Sequence, residues 1–148
     1  MAIAPQTSID PLSDAALAAS GRRAFEVERE GLAAVAARID GAFSDACRAI
    51  LAGSGRVVCM GMGKSGHIAR KIAATLASTG TPAFFMHPGE ASHGDLGMVT
   101  DADVVLALSN SGESDEILSI IPSLKRQGNV LIAMTGRPGS SLARLAHV

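Results

Sequence analysis

The chain has 148 residues, enough for one domain with a single hydrophobic core. Its formal net charge of −1, without any Lys/Arg-rich run, excludes the basic face that nucleic-acid binding requires. No apolar stretch approaches the roughly 20 residues of a membrane span, and the first residues lack the segments of a signal peptide. Cys47 and Cys59 lie in apolar segments, which indicates buried free thiols. We therefore expect a soluble, cytoplasmic protein with no nucleic-acid or membrane partner.

The first third of the chain has a helical pattern. Residues 1–11 are predicted to be a flexible terminus, and residues 12–148 to form one domain. Between about 12 and 52, apolar residues recur at steps of three, four and seven, which predicts a long helix. Glycines at positions 21, 31 and 41 weaken that helix, so we expect it to break once at most.

Short apolar runs then alternate with helical segments. Strands are predicted at 56–60, 82–87, 103–109 and 130–134, and helices at 65–79 and 114–127, with a short last helix capped by Ser140 or Ser141. Ile68, Ile72 and Leu76 are expected to form the buried face of the helix at 65–79, and Pro122 to kink or split the helix at 114–127. The alternation predicts a three-layer α/β/α sandwich with a parallel sheet and ligands at the carboxyl ends of its strands.

The stretch MGMGKSGHIAR, which follows the first strand, admits three interpretations. An ATP-binding P-loop ending at Gly63-Lys64-Ser65 would require a glycine at position 58, which is Val58. The spacing of Gly61, Gly63 and Gly66 fits a dinucleotide fingerprint, but no acidic residue stands at the tip of the second strand. The third interpretation is a smaller anion, held by the helix N-terminus and Lys64.

The loop after the third strand favours the third interpretation. It reads Ser109-Asn110-Ser111-Gly112-Glu113-Ser114 and opens directly into a helix. N-capping requires one such side chain, whereas three hydroxyls and an amide in six positions can surround a phosphate monoester together with free backbone N–H groups. We therefore expect a phosphate cradle between this loop and Lys64-Ser65.

Both stretches together resemble the sugar-isomerase (SIS) domain family. GMGKSGHIARKIAATLASTGTPAFFMHPGEASHGDLGM and SNSGESDEI are similar to its D-arabinose-5-phosphate isomerases. The resemblance runs from about Phe25 to Val148, and it implies a five-stranded parallel sheet whose last strand and helix are missing here. It also implies interconversion of D-ribulose 5-phosphate and D-arabinose 5-phosphate through an enediolate. That reaction supplies 3-deoxy-manno-octulosonate (Kdo) for lipopolysaccharide biosynthesis.

The resemblance also implies roles for individual residues. The phosphate-site positions are Ser65, Ser109, Asn110, Ser111 and Ser114. Lys64 and Glu116 match positions of catalytic relevance. Gly80, Thr81, His87 and His93 match positions that contact substrate, and His87 matches one that can take zinc. A further catalytic Glu and His, and a pair of regulatory CBS modules, are expected beyond Val148. The family is tetrameric, so a homotetramer or another homo-oligomer is expected.

Isomerisation needs a base and an electrophilic group beside the developing oxyanion. Glu116 is either that base or a helix-start carboxylate, and Glu113 is the second candidate. His93 is expected to transfer protons, because histidine titrates near neutral pH. Pro88-Gly89 argues against a helix that could fix a tetrahedral metal site, so we expect no required cofactor and only incidental zinc at His87.

Two other functions compete with the arabinose-phosphate isomerase. One is a non-catalytic SIS module that senses sugar phosphates, as in the ligand-binding half of a transcriptional regulator. Such a regulator should carry a helix-turn-helix upstream, where this chain shows a single helical stripe. The other is an SIS isomerase for a different ketose phosphate, which only the shape of the pocket would distinguish.

Overall fold

The computed structural model describes residues 12–148, and the chain divides into two compact units, Met1–Asp40 and Gly41–Val148. The predicted flexible terminus lies outside the described residues. In the first unit, helix α1 (Asp14–Ala36) begins at Ser13, whose hydroxyl accepts a hydrogen bond from the Ala16 amide. The chain leaves the helix after Ala36, and a new helix begins at Gly41. The expected single break is therefore present.

The second unit contains four strands and five helices in alternation. The strands are β1 (Val57–Gly61), β2 (Ala83–Met86), β3 (Val104–Leu108) and β4 (Val130–Met134). The helices are α2 (Gly41–Ala52), α3 (Gly63–Ser78), α4 (Pro88–Ser92), α5 (Asp115–Gln127) and α6 (Ser141–Leu145), with a 3-10 turn at Asp95–Met98. Ser140 is the residue that caps α6, accepting a hydrogen bond from the Ala143 amide.

The four strands form one parallel sheet in the order β2-β1-β3-β4. Val57 at the start of β1 is paired with Ala83 on one side and Val104 on the other. Beyond β4, the His147 amide donates to the Leu131 carbonyl and the Ala133 amide to the Val148 carbonyl. The last two residues thus run along the outer edge of β4.

Alternate residues of each strand face opposite layers of helices. Val58, Val105 and Leu131 belong to a core shared with α4, α5 and α6. Cys59, Leu106 and Ile132 belong to a core shared with α2 and α3. Because both faces are covered, β1 and β3 are buried along their whole length. The expected three-layer α/β/α sandwich with a parallel sheet is confirmed.

Three local expectations differ from the structure. α5 runs without interruption through Pro122, whose ring lies on the exposed side of the helix, so the helix is not split. α3 buries Gly66, Ala69 and Ala73 rather than Ile68, because only small residues allow this helix to lie close to the sheet. Pro88-Gly89 does not exclude a helix, since Pro88 occupies the first turn of α4, where a missing N–H costs nothing.

The amino ends of the strands are braced by a buried carboxylate. Asp103 is only 2% exposed, and its oxygens accept hydrogen bonds from the amides of Arg56 and Thr100 and from the Arg56 guanidinium, at 2.7 to 3.3 Å. The buried Asn129 amide group donates to the carbonyls of Thr100 and Asp103. This edge is therefore a structural end of the sheet, opposite the edge where ligands are expected.

Candidate functional site

The candidate site lies between β1 and β3, where successive strands begin to be added on the opposite side of β1. β2 lies on one side of β1 and β3 on the other, so the gap between the carboxyl ends of β1 and β3 is a topological switch point. Gly61 and Leu108 are paired there, at the ends of the two strands. An open depression of about 280 Å³ occupies this gap, and its lining includes Lys64, Ser65, Ser109 and Asn110. The structure therefore brings together four of the predicted site residues.

The turn from β1 into α3 depends on its glycines. A Cβ at Gly66 would come within 2.6 Å of the Gly61 carbonyl oxygen, and one at Gly61 within 2.9 Å of the Ser65 backbone. Gly63 has φ +50, in the left-handed region that glycine occupies at little cost. The glycines of the fingerprint thus bring the first turn of α3 onto the end of β1, which places Lys64 and Ser65 at the rim of the depression.

The loop from β3 into α5 is held by its own hydroxyls. The Ser109 and Ser114 hydroxyls are 2.8 Å apart, and the Gly112 amide donates to Ser109 Oγ at 3.1 Å. The Ser111 hydroxyl accepts from the Glu113 amide at 3.2 Å. Ser109 is 4% exposed, so its hydroxyl mainly shapes the loop. Sequence reasoning treated all the hydroxyls of this loop as equivalent ligands, whereas in the structure several of them bond within the loop.

The two helices that follow these loops both lack a side-chain cap, and the first turn of one of them, α3, lines the depression. The N-cap positions of α3 and α5 are Met62 and Ser114, and neither side chain bonds to its helix. By contrast, Ser13, His87 and Ser140 cap α1, α4 and α6. The first N–H groups of α3 and α5 therefore remain free for an anion. The first turn of α3 has no acidic residue and carries Lys64, whereas that of α5 carries two carboxylates, so α3 is the more electropositive end.

A third loop, between β4 and α6, supports the cradle. The Gly136 amide donates to the Asn110 carbonyl at 3.1 Å, and the Ser141 amide to Glu113 Oε1 at 2.8 Å. Hydrogen bonding from the Ser141 amide and side chain lowers the pKa of Glu113. Glu113, the second candidate for the base, is therefore engaged in joining two loops.

Sequence reasoning missed part of this support. Thr135, Gly136 and Ile68 line the depression. The signal was present in the sequence, because Thr-Gly-Arg-Pro-Gly-Ser after β4 is a third hydroxyl- and glycine-containing loop at the carboxyl edge.

The remaining predicted residues lie outside this depression. Glu116 is exposed in the first turn of α5, and His93 is exposed at the end of α4. His87 follows β2 and lines a separate depression on the other side of the β1–α3 turn. Gly80 and Thr81 precede β2, so they lie at the amino edge of the sheet, opposite the cradle. The structure does not bring Gly80 and Thr81 to the switch point within one chain.

His87 is the residue at which zinc is expected. Among residues 12–148, no three His, Cys, Asp or Glu side chains come together in a metal-binding group. His87 Nδ1 accepts a hydrogen bond from the Gly89 amide at 3.2 Å, which occupies one of its two possible ligand atoms. The residues present therefore do not fit a resident zinc ion, and no step of the chemistry is assigned to one.

Among the helices of residues 12–148, none has both the length and the apolarity to cross a bilayer.

The fold and the position of the depression are those of a doubly wound α/β ligand-binding domain. The pattern of the SIS domain family matches residues 50–148. The chain belongs to the SIS domain family.

Several characterised proteins are similar to this chain over most of its length. The arabinose 5-phosphate isomerases KdsD of Yersinia pestis and Pseudomonas aeruginosa are 60% and 59% identical over 129 residues, 87% of this chain. The chain spans 39% and 40% of the lengths of those relatives. An Escherichia coli CFT073 protein, solved in complex with A5P, is 44% identical with a TM-score of 0.87, covering 93% of this chain and 73% of its own.

Proposed function

We propose that the chain is the isomerase domain of a D-arabinose-5-phosphate isomerase, interconverting D-ribulose 5-phosphate and D-arabinose 5-phosphate. The observation that carries this proposal is the cradle at the β1–β3 switch point, where the uncapped N-terminus of α3, Lys64 and the first residues of a hydroxyl loop meet. The names of the relatives and the A5P complex of the similar structure support the choice of sugar. The reaction supplies Kdo biosynthesis in the cytoplasm, and the protein acts as a homotetramer.

In this proposal the phosphate occupies the cradle and the sugar carbons extend away from it. The N–H groups at the start of α3 donate to phosphate oxygens, and Lys64 adds a full positive charge. Ser65 and Asn110 present polar side chains to the same depression. Ser109, Ser111 and Ser114 hold the loop in the shape that exposes its backbone to the ligand.

The isomerisation moves one carbon-bound proton. A base removes the proton from C2 of the aldose, the resulting enediolate places negative charge on the oxygens, and the proton returns to C1. A second proton moves from the C2 hydroxyl to the C1 oxygen. We assign the carbon proton to Glu116 and the oxygen proton to His93. No required metal or cofactor takes part, and zinc at His87 is incidental.

The proposal is tested with D-arabinose 5-phosphate in heavy water, followed by proton NMR, and with calorimetric titration of the same sugar. The 148-residue chain is expected to bind the sugar and to lose the C2 proton signal as ketose forms. Binding without exchange by this chain, restored in a chain that extends beyond Val148, would assign part of the chemistry to the Glu and His expected there. Binding without exchange by both chains would favour a sugar-phosphate sensor. Neither binding nor exchange would overturn the arabinose-phosphate assignment altogether.

Substitutions of two lysines on α3, made separately, test whether the cradle binds phosphate. Lys64→Ala is expected to weaken binding of both inorganic phosphate and the sugar phosphate by about tenfold, because it removes a charged donor from the rim. Lys71→Ala, an exposed lysine two turns further along the same helix, is the matched control and should leave both affinities unchanged. Equal affinities for the Lys64 variant and the wild type would place the phosphate elsewhere.

A further inference from the structure

Two of the loops at the β1–β3 depression are hydrogen-bonded to each other. The Gly136 amide, after β4, donates to the Asn110 carbonyl, after β3, at 3.1 Å, and both residues line the depression. The Leu142 amide donates to the Gly112 carbonyl at 3.0 Å. Both bonds join backbone to backbone, so they do not depend on the side chains at these positions. The place of the β3–α5 loop, and with it that of Asn110, is therefore set partly by the β4–α6 loop.

A third bond between the same loops is made by a side chain. Glu113 Oε1 accepts a hydrogen bond from the Ser141 amide at 2.8 Å, across 28 positions of sequence. Ser141 is the first residue of α6, so its N–H has no partner within that helix. Glu113 is not one of the residues that line the depression. Its carboxylate can therefore influence a ligand there through the position of the loop, rather than by contact.

The charge of Glu113 and its hydrogen bond act in opposite directions on an anion. Hydrogen bonds from the Ser141 amide and side chain, and then the charges of Arg144 and Arg137, lower the pKa of Glu113. A carboxylate beside an anion site repels the anion, and its removal would leave the two arginine charges uncompensated. Electrostatics alone therefore predicts tighter phosphate binding when Glu113 is replaced by a neutral residue. A role in holding the loop predicts weaker binding.

We propose that Glu113 is a positioning residue of the phosphate cradle, and that its bond to the Ser141 amide holds the β3–α5 loop in the conformation that binds phosphate. The inference rests on the proposed function, because it takes the phosphate to bind in the β1–β3 depression. A loop that is ordered before the ligand arrives lowers the entropy cost of binding. In this role Glu113 transfers no proton.

Substitutions of Glu113 test this role by calorimetric titration with inorganic phosphate and with D-arabinose 5-phosphate. Glu113→Ala removes the acceptor and is expected to weaken the binding of both ligands by about 3- to 10-fold, the effect of one lost hydrogen bond. Glu113→Gln keeps an oxygen acceptor without the charge, so it should bind both within about twofold of the wild type. Asp115→Ala removes an exposed carboxylate in the first turn of α5. It is the control for charge and should bind both ligands as tightly as the wild type or more tightly.

The donor of the same bond can be removed independently. Ser141→Pro deletes the N–H at the first position of α6, where proline is tolerated. Ser140, which would precede the proline, has φ −70 and ψ 163, an extended conformation compatible with it. Ser141→Ala, which loses the hydroxyl alone, is the reference. Glu113→Ala and Ser141→Pro should weaken phosphate binding to a similar extent, and the double variant no further than either, because all three lack the same bond. Urea unfolding of each variant measures whether it is folded.

The outcomes separate this inference from the proposed function. A folded Glu113→Ala variant that binds phosphate as tightly as the wild type, or more tightly, overturns the positioning role. A double variant whose losses multiply also overturns it, because the two partners would then act separately. A Glu113→Gln variant that binds the sugar normally but exchanges its C2 proton more slowly than the wild type would make Glu113 the base. A wild type that does not bind phosphate contradicts the proposed function instead.

Discussion

Individual glycines decide how closely the loops of the site approach one another. Gly112 has φ +66, and a Cβ there would overlap the side chain of Ser140. A Cβ at Gly136 would lie 2.7 Å from Asn110 Oδ1. The turn itself could be predicted from the sequence, because glycine follows serine before a helix. The partner could not, since Ser140 lies 28 positions further along the chain and meets Gly112 only through the fold.

Gly112→Ala is therefore expected to be destabilising. The substitution places a residue with a Cβ at a positive φ, which is strained, and the Cβ overlaps the side chain of Ser140. The free energy of unfolding should therefore fall by about 2 kcal/mol or more. Urea denaturation measures this difference. Gly139→Ala is the matched control, because a Cβ at Gly139 meets nothing within 4 Å. If both variants unfold at the same urea concentration, the close contact between the two loops is not present in solution.

At the scale of elements, hydrophobic periodicity predicted the four strands, which the core stabilises. It missed the short helix α4, which other contacts stabilise. All four strands lie where apolar runs predicted them, because strands buried on both faces require continuous apolar sequence. The short helix α4 was not expected, because five residues carry no periodic pattern. It forms through the cap from His87 and through the burial of Pro88 and Ala91, of which Ala91 belongs to the core shared with α5. Such contacts are tertiary and leave no local signal.

The Asp103 brace predicts a dependence of stability on pH. Burial raises the pKa of Asp103, but hydrogen bonds from the Arg56 guanidinium and from the Thr100 and Arg56 amides outweigh it and lower the pKa to about 2. An unfolded aspartate titrates near 3.9, so the folded state prefers the ionised form. The stabilisation, about 2 to 3 kcal/mol, is present above about pH 4 and is lost as the pH falls from about 4 to about 2.

Urea unfolding between pH 2 and pH 7 tests this dependence. Asp103→Asn should be less stable than the wild type at pH 7, and it should lose the part of the pH dependence between about pH 4 and pH 2. Asp101→Asn, an exposed aspartate two positions earlier, should behave like the wild type. A slope in the Asp103 variant as steep as that of the wild type would show that other carboxylates cause the acid sensitivity.

At the scale of the whole molecule, the sequence predicted the edge of the sheet at which the candidate site lies, but it did not predict how the candidate residues are distributed. Parallel topology places every strand-to-helix loop at one edge, so Lys64, Ser65, Ser109 and Asn110 could be grouped in advance. Gly80 and Thr81 were grouped with them by resemblance alone, and they lie at the other end of β2. The depression that His87 lines is separate from the one between β1 and β3, because β2 lies on the other side of β1. Local patterns do not encode this strand order.

The two cysteines report on the integrity of the whole sheet. Cys59 lies in β1 with 0% of its surface exposed, and burial raises its pKa to about 11, whereas Cys47 on α2 is half-buried. Iodoacetamide at pH 8 is expected to label Cys47 in the native protein and Cys59 only on global unfolding. Mass spectrometry of peptides distinguishes the two sites, with Cys47→Ala as the control. Labelling of Cys59 as fast as Cys47 would mean that the central strand opens locally.

The pairing of β1 with β3 has a consequence for the order of events during folding. Val57 and Val104 are partners across 47 positions of sequence, and the whole of α3, β2 and α4 lies between them. Closing so long a segment costs chain entropy before any contact compensates for it, so this pairing belongs to the slow part of folding. The cradle takes one wall from each of these two strands. If the cradle binds phosphate as proposed, a nascent chain has no such site until β1 and β3 have paired, and the ligand stabilises the folded domain without guiding its assembly.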